Sequence, residues 1–126
     1  MYYGYDSNHR YRCNIHIIEA ISSGVCRSVL DDTRCYDNKV VILRYKNSIS
    51  DQNMRKVLNF LIGQLGKKYS LDGSRNTSFS TSNWYCSELV WAAYNYIGLD
   101  IEDGNFGLIT PGDILDSANT KRISYK

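Results

Sequence analysis

Cys86 stands at the front of "NWYCSELVWAAYNYIG" (83–98), a run whose apolar residues recur at helical spacing. In the first turn of a helix the backbone N–H groups lack intrahelical partners, and the helix dipole is positive there. Thiols so placed ionise below the free value of ~8.5, and the thiolate is the nucleophilic form. The same N–H groups can hold the oxyanion of an acyl-transfer intermediate. The competing reading is packing. Helical spacing from Cys86 passes through Leu89, Val90, Ala93 and Ile97, so the thiol is expected to begin an apolar stripe that meets a sheet instead of solvent. A free cysteine often serves as a small buried hydrophobe.

Nucleophilic catalysis also needs a base and a group that orients it. The chain has two histidines, His9 and His16, and both precede Cys86. That order reverses the simple papain-like one, in which cysteine comes first. Glu19 is the candidate orienting acid. In "CNIHIIEA" it shares a strand face with Ile15 and Ile17, where an ionised carboxylate is costly without a partner. The alternative is a strand-end glutamate reaching water past Ala20. His16 is three residues from Glu19 along the strand, which puts it on the opposite face. His9 falls in a predicted turn.

The remaining cysteines give no recognisable framework. Cys13 and His16 form one C-x-x-H, with Cys26 and Cys35 following at loose spacing. Structural zinc sites need four converging ligands, normally in two tight pairs, and this pattern does not supply them. A Cys26–Cys35 disulfide stays open, because the compartment is unknown. No metal or organic cofactor is implied.

The elements that must position these residues read as follows. "MYYGYD" and "CNIHIIEA" are expected strands of a hairpin, with "SNHRYR" as its turn. "ISSGVCRSVLDDTRCYDN" reads as a loop, and "KVVILRYK" (39–46) as a strand. "SISDQNMRKVLNFLIGQLGKKYS" is an amphipathic helix that Ser48 or Ser50 can cap, with an inward stripe of Met54, Val57, Leu58, Leu61, Ile62 and Leu65. "LDGSRNTSFSTSN" is a polar loop that would keep the site at Cys86 open. The second helix runs from about 85 to 97. "ITPGDIL" turns into a short helical turn, and "KRISYK" closes as an edge strand. Strands first and helices later suggest one α+β domain over residues 1–126, an antiparallel sheet packed by two main helices.

Composition bounds the partners. The 126 residues are 43% hydrophobic and 22% charged, with a net charge of +2 and 11 tyrosines. These values suit one folded domain, and no basic run argues for nucleic acid. No apolar stretch approaches the ~18 residues of a membrane span. The start lacks the basic and apolar regions of a signal peptide. Localisation and oligomeric state stay open.

"IIEA", "VVILRY", "GQLGKKYS", "WYCSELVWAAY" and "ITPGDIL", in that order, resemble the circularly permuted papain-like hydrolases of the NlpC superfamily. The resemblance is to the YiiX/YebB-like branch, related to lecithin retinol acyltransferase and a poxvirus protein group. It spans about residues 1 to 120. "YCSELVW" is its most specific piece, while "IEA" and "GKKY" alone are weak. It implies a papain-like α+β fold of the permuted type and a triad in which histidine and a third polar residue precede cysteine. Cys86 matches the nucleophile and Glu19 the third position. Tyr69 and Tyr85 match positions that line the substrate and oxyanion pocket. In the family the histidine lies in a "GH" pair before a short apolar strand, and "MYYGY" resembles the strand just after such a pair. The expectation is therefore that the base and one strand lie upstream of Met1, or that the chain is a degraded member. The implied reaction is cysteine peptidase or amidase chemistry through an acyl-thioester. Peptide or amide is the implied substrate, cell-wall peptide included, with lipid acyl groups as an alternative. An inactive binding module of the same fold is the competing reading.

Overall fold

The computed structural model describes residues 3–5, 11–13, 15–30, 41–102 and 107–124. His9, Cys35 and residues 39–40 of the expected strand lie outside them. The chain opens with β1 (Tyr3–Tyr5), antiparallel to β2 (Tyr11–Cys13) with Tyr3 opposite Cys13. β3 (Ile15–Ile21) follows and pairs antiparallel with β4 (Gly24–Leu30) through the two-residue turn at Ser22 and Ser23.

β4 corrects the reading of 21–38 as a loop. Its Ser, Cys and Arg residues break the apolar alternation, and "SSG" reads as loop punctuation. The sheet register nevertheless runs unbroken from Ile21 opposite Gly24 to Ile15 opposite Leu30. Gly24 makes the turn possible. Its φ is +116°, and a Cβ there would sit 2.6 Å from the Lys67 carbonyl oxygen. That carbonyl accepts from Val25 N at 2.9 Å, and Gly66 N donates to Val25 O at 2.9 Å. The hairpin is thus stitched to the segment that follows the first helix.

That helix, α1 (Asp51–Gly63), begins where the Ser50 hydroxyl accepts from Asn53 N at 3.2 Å. Its inward face differs from the expected stripe. Val57 and Phe60 are buried and Leu61 and Leu65 are partly buried, whereas Met54, Leu58 and Ile62 are exposed. The aromatic Phe60 rotates the buried face: its ring packs edge-on against Phe79 at 5.8 Å and Trp84 at 6.0 Å.

After α1, β6 (Lys68–Tyr69) runs parallel to β7 (Asn83–Trp84). The second main helix is α2 (Cys86–Asn95), followed by the short α3 (Pro111–Leu115) and by β8 (Thr120–Ser124). β8 pairs antiparallel with β5 (Ile42–Tyr45), as expected of the last segment, with a bulge between Ile42 and Leu43. The core gathers Ala20 and Val25 of the hairpin, Val57 and Phe60 of α1, and Trp84, Tyr85, Leu89, Ala92 and Ala93 around α2. Among the described residues no helix is long and apolar enough to cross a membrane.

Candidate active site

α2 starts at Cys86, and the backbone at its N-cap, Tyr85, is extended. Leu89 N donates to Tyr85 O at 3.1 Å, the first bond of the helix. Tyr85 makes no side-chain cap hydrogen bond; the Glu88 carboxylate instead reaches back to Tyr85 N at 3.3 Å, the capping-box bond of this helix start. The Cys86 thiol is free and exposed, 3.6 Å from the Ser87 hydroxyl.

This exposure overturns the expectation that the thiol begins a buried stripe. The core side of α2 is carried by Leu89, Ala92 and Ala93, all fully buried, with Ser87, Glu88 and Trp91 beside them. Cys86 and Val90, at i and i+4, form a separate row. That row borders an open cavity of about 430 Å³, with Ser87, Val41, Leu43, Pro111, Gly112, Ile114 and Leu115 completing its walls. Among the described residues, the walls apart from the thiol and Ser87 are apolar or glycine, with no charged side chain.

The other expected site residues do not line this cavity. Glu19 is half-buried on β3, directly across from Cys26, and accepts a short hydrogen bond from the Ser28 hydroxyl. Cys26 is a free thiol 3.6 Å from the same hydroxyl. His16 is exposed and on the opposite strand face from Glu19, as its spacing predicts. Tyr69 is half-buried in β6, opposite Trp84, and packs on the core.

Tyr85 is a strut. It is fully buried, its hydroxyl donates to Ser74 O at 2.6 Å, and that hydroxyl accepts from Ile109 N at 3.1 Å. Burial raises its pKa above the ordinary 10.0, with the bond to Ile109 and the Arg75 charge opposing and the Glu88 and Asp72 charges adding.

The polar loop between β6 and β7 is also tied down, and it contributes no wall to the cavity. Lys67 Nζ donates to Phe79 O at 2.7 Å and Thr81 O at 2.6 Å. The Phe79 ring lies over Gly63, where any Cβ would come within 2.1 Å of it. Arg75 pairs with buried Glu102 at 2.6 Å and donates to Gly107 O at 2.8 Å. Glu88, fully buried, accepts from Ser74 Oγ and Asn76 N, both at 2.9 Å, and from Asn76 Nδ2 at 3.2 Å. Its other oxygen accepts from Tyr85 N at 3.3 Å. The glutamate three residues past an N-cap was the available signal, since that is the capping-box position. The cavity walls left a weaker signal, the alternation of Val41 and Leu43 in "VVIL" and the apolar pair in "PGDIL".

The helix that starts at the exposed Cys86 thiol packs against the hairpin that carries half-buried Glu19. The family model for the permuted papain-like amidase enzymes, the YaeF/YiiX or C92 family, matches residues 1–111, and the chain belongs to that family. Among solved structures it is similar to the crystal structure of the metalloprotein YiiX from Escherichia coli O157:H7. The TM-score is 0.69 at 18% identity, over 92% of this chain and 81% of that one, which shows the permuted papain-like α+β fold. No curated protein matches the chain. That neighbour is described as a metalloprotein. Among the described residues here, no three His, Cys, Asp or Glu side chains converge in a way that could hold a metal ion.

Proposed function

We propose that the chain is a cysteine amidase in which Cys86 attacks an amide carbonyl that carries an apolar group. The observation that supports this reading is the exposed thiol in the first turn of α2, opening onto an apolar cavity. Sulfur adds to the carbonyl carbon, and the carbonyl oxygen takes up the charge beside the N–H groups of Cys86 and Ser87. The C–N bond then breaks, and the amine leaves with the proton given up by the thiol. Water adds to the thioester, releasing the carboxylic acid and restoring the thiol.

Glu19 takes the orienting role in this reading, supported by its place in the family's motif order and by its half-burial beside Ser28. Among the described residues no histidine lines the cavity at Cys86. The apolar walls suit an aliphatic acyl chain or an apolar side chain next to the scissile bond, in either a lipid amide or a peptide. They suit a charged peptide group poorly, since burying an unpaired charge is costly.

A panel of coumarin amides with acyl groups running from charged to long aliphatic tests the proposal. The expected result is hydrolysis that favours the aliphatic members and is abolished by Cys86→Ala. Tight binding of the same amides without turnover, unchanged in Cys86→Ala, would instead identify a binding module of this fold.

A further inference from the structure

We infer that Glu88 is a positioning residue of this site: through Ser74 and the Tyr85 hydroxyl it holds the α3 wall against the nucleophile's helix. The inference rests on the reading of Cys86 as nucleophile and adds a residue that never touches substrate.

Glu88 is fully buried in the first turn of α2, and Tyr85 N, Ser74 Oγ, Asn76 N and Asn76 Nδ2, which face its oxygens, are all neutral. A buried carboxylate is costly unless its lone pairs are satisfied; here three N–H donors and the positive end of the helix dipole do so, while the single proton of the Ser74 hydroxyl is shared between Glu88 Oε2 at 2.9 Å and Asp72 Oδ1 at 2.6 Å. The two oxygens divide the work. One takes the Tyr85 N–H, just before the helix, which fixes the backbone that enters Cys86. The other takes Ser74 Oγ, Asn76 N and Asn76 Nδ2, which fixes the 74–76 loop.

The loop passes that constraint on. Ser74 O accepts from Tyr85 Oη, and Tyr85 Oη accepts from Ile109 N, the residue before the Thr110 cap of α3. Arg75 adds a parallel tie to Gly107 O. α3 in turn supplies Pro111, Gly112, Ile114 and Leu115 to the cavity. The network therefore ties together both sides of the site, the helix start that bears the thiol and donor N–H groups and the wall across from it. A purely stabilising core carboxylate would not need to join these two segments.

Two reagents separate positioning from simple stability. Iodoacetamide alkylates a thiol by direct displacement and uses neither oxyanion donors nor the α3 wall. The p-nitrophenyl ester of a medium-chain fatty acid acylates the thiol through an oxyanion and uses both. Both rates are measured on wild type, Glu88→Gln and Tyr85→Phe, at a temperature where circular dichroism shows each folded. In Glu88→Gln the amide nitrogen meets at least one donor, and Tyr85→Phe cuts both hydroxyl bonds while keeping the ring.

The expected result is acylation slowed by roughly 100-fold in Glu88→Gln, the scale of a small misplacement or of one lost oxyanion donor, with alkylation within about threefold of wild type. Tyr85→Phe should show the same divergence, smaller in size. Equal losses in both rates, or no loss in either, would overturn the inference. If Cys86→Ala releases p-nitrophenolate as fast as wild type, the nucleophile reading has failed, and the inference falls with it.

Discussion

Cys86 and Val90 lie one turn apart on α2 and open onto the same cavity, while Leu89 and Ala93 on the neighbouring row are fully buried. The helix thus presents its free thiol on a face the core does not use. That separation lets an apolar helix carry an accessible thiol, because Leu89, Ala92 and Ala93 suffice to pack it.

Val90 is the place to change the cavity without disturbing the core, since it is 36% exposed. Val90→Lys should leave the melting temperature nearly unchanged, as surface substitutions usually cost within about 0.5 kcal/mol. It should raise KM for aliphatic amides by roughly tenfold or more, the worth of ~1.4 kcal/mol of lost apolar contact. Steady-state kinetics on an aliphatic coumarin amide would check this.

Tyr85 gives the fold an alkaline limit. Its folded-state pKa is raised above 10.0, chiefly by burial, so the native protein keeps a proton that the unfolded chain releases. The contribution is therefore full below pH 10 and is lost as pH rises through the folded value. Tyr94, also raised by burial, acts in the same direction. Tyr85→Phe should lower stability at neutral pH by about 1–3 kcal/mol, because Ser74 O and Ile109 N lose their partner. It should also flatten the decline above pH 10. Urea unfolding from pH 7 to 11 reads both effects.

Gly24 should not tolerate a side chain. Gly24→Ala combines a φ of +116° with a Cβ 2.6 Å from Lys67 O, so hairpin and β6 entry cannot both keep their places. A loss of about 2 kcal/mol or more is expected, against roughly 1 kcal/mol for Gly73→Ala, where φ is +74° and nothing lies within 4 Å. Urea midpoints of the two variants give the comparison.

Arg75 and Glu102 close the loop onto the segment after α2, with Glu102 1% exposed. Arg75→Ala should cost about 3 kcal/mol, since it removes the cation from a buried carboxylate and the bond to Gly107 O. Thermal unfolding would show it as a lowered midpoint.

How far the fold could be read from the chain depended on the strength of each local signal. α1, α2, α3 and the two strands β5 and β8 carry caps, helical spacing or β-branched residues and were legible, whereas β6 and β7 fell in segments read as a helix end and a polar loop. β4 was not, because Cys26, Arg27 and Ser28 give no alternation, and its pairing is set by the neighbouring strand and by Lys67. The inward side of α1 was misjudged because Phe60 fixes it through contacts with Phe79 and Trp84, which lie far along the chain. At the site, the position of Cys86 in the first helical turn was legible and its exposure was not. Periodicity shows which residues share a row, while only the packed fold decides which row faces the core. Tyr85 lies next to Cys86 in sequence yet points into the interior, where two backbone groups claim its hydroxyl.

The central claim is that Cys86 forms the acyl-enzyme. Incubation with the p-nitrophenyl ester of a medium-chain fatty acid, acid quenching and peptide mass spectrometry test it most directly. One added acyl group is expected on the peptide containing Cys86, with Cys26 unmodified and no adduct in Cys86→Ala. An adduct on Cys26 at equal yield, or none on Cys86 while p-nitrophenolate is released, would contradict it.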